Sequence, residues 1–196
     1  MKTAVILLAA GSSSRLGRPK QLVDFQGKKL IQKAVEEARK CKAESMVVVL
    51  GWNPDLIKTG FYSDQIPWVV NPNWEEGMAS SMQAGLRFLM DKEQPEQVIL
   101  MLVDQPFVDS KLLDRLIEEK ANSGKGIVAC SYSETLGVPA IFDQQYLQEL
   151  LQLKSSEGAK KVILKNKSDV FAVDFSLGSV DLDTAEDLIR LENWKI

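Results

Sequence analysis

Three cations stand close behind a run of small residues near the start of the chain: Ala9-Ala10-Gly11-Ser12-Ser13-Ser14 is followed by Arg15, Arg18 and Lys20. Small residues let a ligand approach the backbone, Gly11 is free to take a positive φ that gathers amide N–H groups on one anion, and the serines add hydroxyl donors. Arg15 suits bidentate contact with phosphate oxygens, and Lys20 is a point charge for developing negative charge. The set is that of a triphosphate cradle. A plain strand-to-helix turn uses the same small residues, so the loop alone leaves both readings open. Neither familiar phosphate fingerprint fits: five residues separate Gly11 from Gly17 with Arg18 next, and there is no G-x-G-x-x-G.

Two carboxylates extend the chemistry. Asp104 directly follows the apolar run Val98 to Val103, either as a metal ligand or as the cap of a turn with Pro106. Asp183-Thr184-Ala185-Glu186 has the pattern of a capping box, and one oxygen of Asp183 can cap while the other faces a cation. Two carboxylates plus substrate phosphates are the usual way of holding Mg²⁺. Gly77, Ser81 and Gly85 recur every four residues and share one helix face with little bulk, suited to close helix packing or to a nucleobase and ribose.

The elements that must position these groups are read from hydrophobic periodicity. Val5 to Leu8, Met46 to Leu50, Trp68 to Val70, Val98 to Val103, Gly126 to Cys130, Pro139 to Phe142 and Val170 to Val173 read as strands. Leu30 to Ala38, Gly77 to Met90, Leu112 to Ile117, Tyr146 to Leu153, Ala159 to Leu164 and Ala185 to Leu191 read as helices. The alternation predicts an α/β fold, three-layer and Rossmann-like with a mainly parallel sheet, in one domain over residues 1–196, with ligands at the carboxyl ends of the strands. Residues 133–138 and 154–158 read as the loops most able to cover a site.

Composition narrows the function. With 196 residues, 45% of them hydrophobic, the chain can bury one good-sized core. A net charge of -3 gives no basic field, so no nucleic-acid partner is expected. The two cysteines, the absence of a membrane-length apolar stretch and the first strand's position close behind Met1 lead us to expect a cytoplasmic protein with no membrane partner. Histidine is absent, which closes Ser-His-Asp, Cys-His and H-E-x-x-H chemistry.

LLAAGSSSRLGRPKQ, VNPNWEEGMASSMQAGL, MLVDQPFVD and VDLDTAEDLIRL together resemble the MobA-like nucleotidyltransferases, most of all the molybdenum cofactor cytidylyltransferase branch. The resemblance runs from Ala4 to Leu191 and implies a fold of the nucleotide-diphospho-sugar transferase type. It implies that CTP or GTP binds with Mg²⁺ and that the nucleoside monophosphate passes to a phosphorylated acceptor, here molybdopterin or the molybdenum cofactor, with release of pyrophosphate. On this resemblance Ala9, Ala10, Gly11, Ser12, Ser13 and Ser14 form the triphosphate loop, with Arg15 and Lys20 as its catalytic cations. Asp104, also catalytic, and Asp183 hold the metal, with Asp181 a weaker candidate. Asn71, Gly77, Ser80 and Ser81 lie along base and ribose. Alanines at 9 and 10, where guanylyl-transferring relatives tend to have glycine, favour CTP.

The chain departs from the family pattern on the acceptor side. Val138, before Pro139, stands where a histidine is usual, and Lys160 stands in the place of an arginine, keeping the charge without the bidentate geometry. A sugar phosphate or alditol phosphate is therefore an alternative acceptor, and a non-catalytic pterin carrier is an alternative role. The resemblance further implies a molybdoenzyme or its maturation chaperone as the partner that takes up the product.

Overall fold

Val5 to Leu8 carry no polar side chain, and in the computed structural model they lie within β1 (Thr3–Leu8), every residue of which is buried. The structure describes residues 1–155, 157–182, 184, 186 and 187. A small hairpin follows, β2 (Asp24–Phe25) and β3 (Lys28–Lys29), turned at Gln26 and Gly27, both at positive φ. Next come α1 (Leu30–Lys40), β4 (Ser45–Leu50), α2 (Pro54–Lys58), β5 (Trp68–Val70), α3 (Met78–Lys92) and β6 (Gln97–Leu102). The remaining elements are α4 (Ser110–Ser123), β7 (Ile127–Tyr132), β8 (Thr135–Asp143), α5 (Gln144–Leu151), α6 (Ala159–Lys165) and β9 (Val170–Asp174).

Seven strands pair in the order β5-β4-β1-β6-β8-β7-β9. β5, β4, β1 and β6 run parallel, β9 is parallel to β7, and β8 is antiparallel to both of its neighbours. Alternate residues of β1 feed two separate cores. Val5 and Leu7 pack with Ile31 and Val35 of α1 and Leu113 and Leu116 of α4. Ala4, Ile6 and Leu8 face the other way, onto Met82 and Leu86 of α3, Leu147 and Leu150 of α5, and Val162 and Ile163 of α6. A sheet covered on both faces needs apolar residues at every position, which is why the strands read as unbroken runs. The expected three-layer, mainly parallel architecture is the one observed.

Several boundaries differ from the sequence reading. Residues 133–138 are not a covering loop: Ser133 and Glu134, both at positive φ, make a two-residue turn, and β8 begins at Thr135 to pair with β7. α4 is longer than expected because Asp109 caps it, accepting from the Leu112 N–H at 2.8 Å, and it runs on to a left-handed Gly124. Asp183, the expected cap of the segment after β9, lies outside the described residues. Thr184 and Asp187 bond reciprocally, the Asp187 N–H donating to Thr184 Oγ1 (3.2 Å) and the Thr184 N–H to Asp187 Oδ2 (2.8 Å). The closing helix expected over 185–191 lies largely outside the described residues.

Asp169 ties β9 to β7 and α5. It accepts from the Tyr146 hydroxyl at 2.6 Å and the Gly126 N–H at 3.0 Å, and the Tyr146 bond holds its carboxyl below the ordinary 3.8. Burial, and then the Asp169 charge, push the Tyr146 phenol up to about 12. Tyr146→Phe is expected to lower the free energy of unfolding by about 1–2 kcal/mol at neutral pH. Because the folded-state pKa of Asp169 is depressed, this contribution is complete above the ordinary value and is lost as pH falls through the folded one. Urea melts of both proteins should therefore differ at neutral pH and converge in acid.

Candidate active site

Beyond Leu8 the chain leaves the sheet but stays tied to β4 at first. The Ala9 N–H donates to Val49 O (2.9 Å), and Ala10 O accepts from the Trp52 N–H (3.0 Å). Gln21, wholly buried, closes the loop from beneath: its Nε2 donates to Ala9 O at 2.9 Å and Gly11 O at 2.8 Å. The positive φ expected at Gly11 falls instead on Ser13 (57°) and Gly17 (72°). Gly11 contributes room, since a methyl group there would meet nothing within 4 Å. Ser13 Oγ accepts from the Lys20 N–H at 3.0 Å and so fixes where the lysine leaves the backbone.

Lys20 crosses to the end of β6, where its Nζ lies 2.6 Å from Asp104 Oδ2, with the two side chains only 13% and 16% exposed. The Asp104 carboxylate is therefore committed to the lysine rather than to capping the turn at Pro106. Its other oxygen, Oδ1, is buried with no hydrogen-bond partner. An acceptor in that state fits a hard divalent cation, which prefers carboxylate and phosphate oxygens. Among the described residues no three Asp, Glu or Cys side chains gather to make a complete protein-built metal cage. A cation at Asp104 would thus draw on substrate oxygens as well.

A cavity of about 350 Å³ opens between the loop, the end of β6 and the start of α3. Ala9 to Arg15, Lys20, Gln21 and Asp104 line it on one side, and Trp74, Glu75, Gly77, Met78 and Ser81 on the other. Ser80 is absent from its wall. Buried Asn71 instead clamps both serines, its Nδ2 donating to Ser80 Oγ (2.9 Å) and Ser81 Oγ (3.0 Å), and its Oδ1 accepts from the Asn73 N–H (3.0 Å). This network folds residues 71–77 onto the first turn of α3. The small-residue stripe divides: Gly77, at φ 117°, borders the cavity, whereas a Cβ on Gly85 would come within 2.8 Å of Ile6 and 2.9 Å of Val49, so Gly85 serves close packing.

Val138, Pro139 and Lys160 do not line this cavity. Val138 O accepts from Gln105 Nε2 and from the Tyr132 hydroxyl, each at 3.0 Å, which links β8 to the residue after Asp104. Pro139 is buried, Lys160 is exposed on α6, and Gly158 ahead of it borders Met78 of the cavity wall. Asp183 lies outside the described residues. The segment before it reaches the site, with the Leu182 N–H on Asp104 O at 3.1 Å. Burial first, and then neighbouring charges that include Asp181 and Asp104, push the Tyr132 phenol up.

Sequence reasoning missed Gln21, Trp74 and Gly51. A Cβ on Gly51 would strike the Trp74 side chain and Ala10 O, so the glycine is what lets the indole seat against the loop. The one sequence signal for Gln21 is its place directly after a site cation.

The profile of the MobA-like NTP transferase domain matches residues 5–170. The chain belongs to that family. It is a nucleotidyltransferase of the MobA-like type, and its sheet is that of the nucleotide-diphospho-sugar transferase fold. It is 28% identical over 195 residues to the nicotine blue oxidoreductase of Paenarthrobacter nicotinovorans, covering 95% of this chain and 94% of that one. Rv0371c of Mycobacterium tuberculosis H37Rv superimposes with a TM-score of 0.85 at 28% identity, over 97% of both chains. A structure of Rv0371c in complex with manganese gives 0.81 at 25% identity, over 99% of this chain and 100% of that one. The molybdopterin-guanine dinucleotide biosynthesis protein A of Archaeoglobus fulgidus shares the fold, with a TM-score of 0.70 at 19% identity over 96% of both chains.

Trp74 borders the cavity closely enough to report its filling. Titration with a nucleoside triphosphate is expected to change tryptophan emission saturably. Trp74→Phe should abolish that change although Trp52, Trp68 and Trp194 remain.

Proposed function

We propose that the chain transfers CMP from CTP to the phosphate of molybdopterin or the molybdenum cofactor, releasing pyrophosphate, in the cytoplasm. The observation that carries the reading is Asp104, one oxygen bound to Lys20 and the other buried and unpartnered, facing a small-residue loop across a nucleotide-sized cavity. The manganese complex of Rv0371c supports a divalent cation at such a site, for which we propose Mg²⁺ as the working metal. Ala9 and Ala10, both buried against the loop's anchor on β4, are the support for cytidine over guanosine.

In this reading Arg15 and Lys20 bind the triphosphate, the serine hydroxyls complete the cradle, and Gly77 and Ser81 border the nucleoside. An oxygen of the acceptor's phosphate attacks the α-phosphorus. The new O–P bond forms as the bond to the β-phosphate oxygen breaks, and pyrophosphate leaves with that electron pair. A phosphate monoester has its second pKa at about 6, so at neutral pH it attacks as a dianion and needs no general base. A chain without histidine is equipped for that reaction. A divalent cation, when held at Asp104, supplies charge neutralisation on the phosphate oxygens. The product would pass to a molybdoenzyme or its maturation chaperone.

Two other readings have specific support. Val138 in place of histidine favours another phosphorylated acceptor, such as a sugar or alditol phosphate. The relative named nicotine blue oxidoreductase favours a redox reaction in the same cavity. One experiment with two arms separates all three: pyrophosphate release from CTP and from GTP, with Mg²⁺ or Mn²⁺, in the presence of molybdenum-loaded pterin, metal-free molybdopterin, or sugar and alditol phosphates, and, in the second arm, oxidation of a reduced nicotinamide nucleotide in the presence of an electron-accepting dye. Pyrophosphate formed from CTP with a pterin acceptor supports the proposal. Release with a sugar phosphate alone, or oxidation of a reduced nucleotide without pyrophosphate, replaces it. Asp104→Asn is expected to cut turnover by about a thousandfold with the fold retained, and near-native Mg²⁺-dependent turnover in that variant rejects the metal assignment.

A further inference from the structure

Each partner of the Lys20–Asp104 ion pair is followed by a buried glutamine, and the two use their side chains alike. Gln21 Nε2 donates to the carbonyls of Ala9 and Gly11, and Gln105 Nε2 to those of Val138 (3.0 Å) and Gly178 (3.2 Å). In both, Oε1 is buried without a partner. A buried acceptor left unpaired is a cost, so these residues are placed for what their N–H groups gather. The bonded carbonyls also fix the amide orientation, because only the –NH₂ end can face two acceptors.

The consequence differs at the two sites. In a planar trans peptide the N–H of the next residue points opposite to the C=O. Drawing Ala9 O and Gly11 O down onto Gln21 turns the N–H groups of Ala10 and Ser12 away from it, toward the open side of the loop where Gly11 leaves free space. Gln21 itself forms part of the cavity wall and is wholly buried. We infer that Gln21 is a positioning residue that aims the backbone N–H groups of Ala10 and Ser12 into the cavity, where they hold the triphosphate. The inference rests on reading this loop as the triphosphate site. Gln105 makes the same pair of bonds to strand β8 and to the Ser176–Ser179 turn, away from the loop, and so serves as an internal control.

The test is calorimetric titration of the full chain with inorganic tripolyphosphate, without metal. Methionine is close to glutamine in shape and removes the donors without adding charge. Gln21→Met is expected to bind tripolyphosphate about tenfold more weakly, and Gln105→Met within about twofold of the native chain. Gln21→Glu supplies a second variant: its carboxyl has a single O–H, which donates to one of the two carbonyls only when protonated, so its affinity, relative to the native chain at the same pH, should recover in part as the solution is acidified. Native affinity in Gln21→Met, equal losses in both methionine variants, or no recovery in Gln21→Glu overturns the inference. Tripolyphosphate binding needs no group transfer. An absence of pyrophosphate release from CTP would thus reject the proposed function while leaving this inference intact, and normal release with native affinity in Gln21→Met would do the reverse.

Discussion

Parallel pairing of β1 with β6, in unbroken register from Thr3 opposite Gln97 to Leu8 opposite Leu102, is the constraint on which the rest of the site depends. It makes two segments far apart in sequence leave the sheet at one edge and at one height, and the Val103 N–H continues the ladder to Leu8 O at 3.1 Å. The loop of small residues and Asp104 become neighbours by that register alone. A shift of one residue would turn the alternate side chains of β1 into the wrong core, so apolar packing on both faces holds the register against slippage. The hydrophobic effect thereby sets the distance between charged groups that never enter the core.

Electrostatics then takes over at the edge. A lysine and an aspartate, both largely shielded from water, neutralise each other, which limits the desolvation cost of bringing either charge there. Neutralisation is incomplete for hydrogen bonding, because Asp104 Oδ1 has no donor. An unsatisfied acceptor of this kind costs about 1–3 kcal/mol in a folded protein. In the proposed reading a substrate-borne cation would remove that cost, and the backbone on either side is held by the uncharged amides of Gln21 and Gln105.

The alternation of strands and helices was legible because a sheet covered on both faces leaves continuous apolar runs; Asp104 stood out because it directly follows such a run, and Arg15 and Lys20 because they follow a loop of small residues that cannot bury them. What the residues did not disclose was set by contacts rather than by type. Ser80 and Ser81 were both read as nucleoside contacts, yet Ser80 is taken up by Asn71 and by the carbonyls of Asn73 and Gly77, and only Ser81 reaches the cavity. The turn at Ser133-Glu134 lacks the asparagine or glycine that usually marks a hairpin, so β8 was read too short at its start. Thr184 and Asp187 make a reciprocal capping pair that the sequence reading did not single out, because the same stretch carries the Asp183-Glu186 pattern one residue earlier. Gln21 escaped notice because nothing in a sequence shows which carbonyls an amide will find.

Tyr132 lies wedged between two glycines from distant parts of the chain: a Cβ on Gly137 would strike its hydroxyl end, and one on Gly178 the edge of its ring. The same hydroxyl reaches Val138 O, the carbonyl that also accepts from Gln105. The three residues thus form an interlocking unit with little room for piecemeal change. Across evolution a bulkier residue at 137 or 178 is compatible only with a smaller one at 132, so these positions should drift as a linked set. In the proposed reading, that linkage would let the packing next to Gln105 be recut for a different acceptor while the nucleotide side stays as it is.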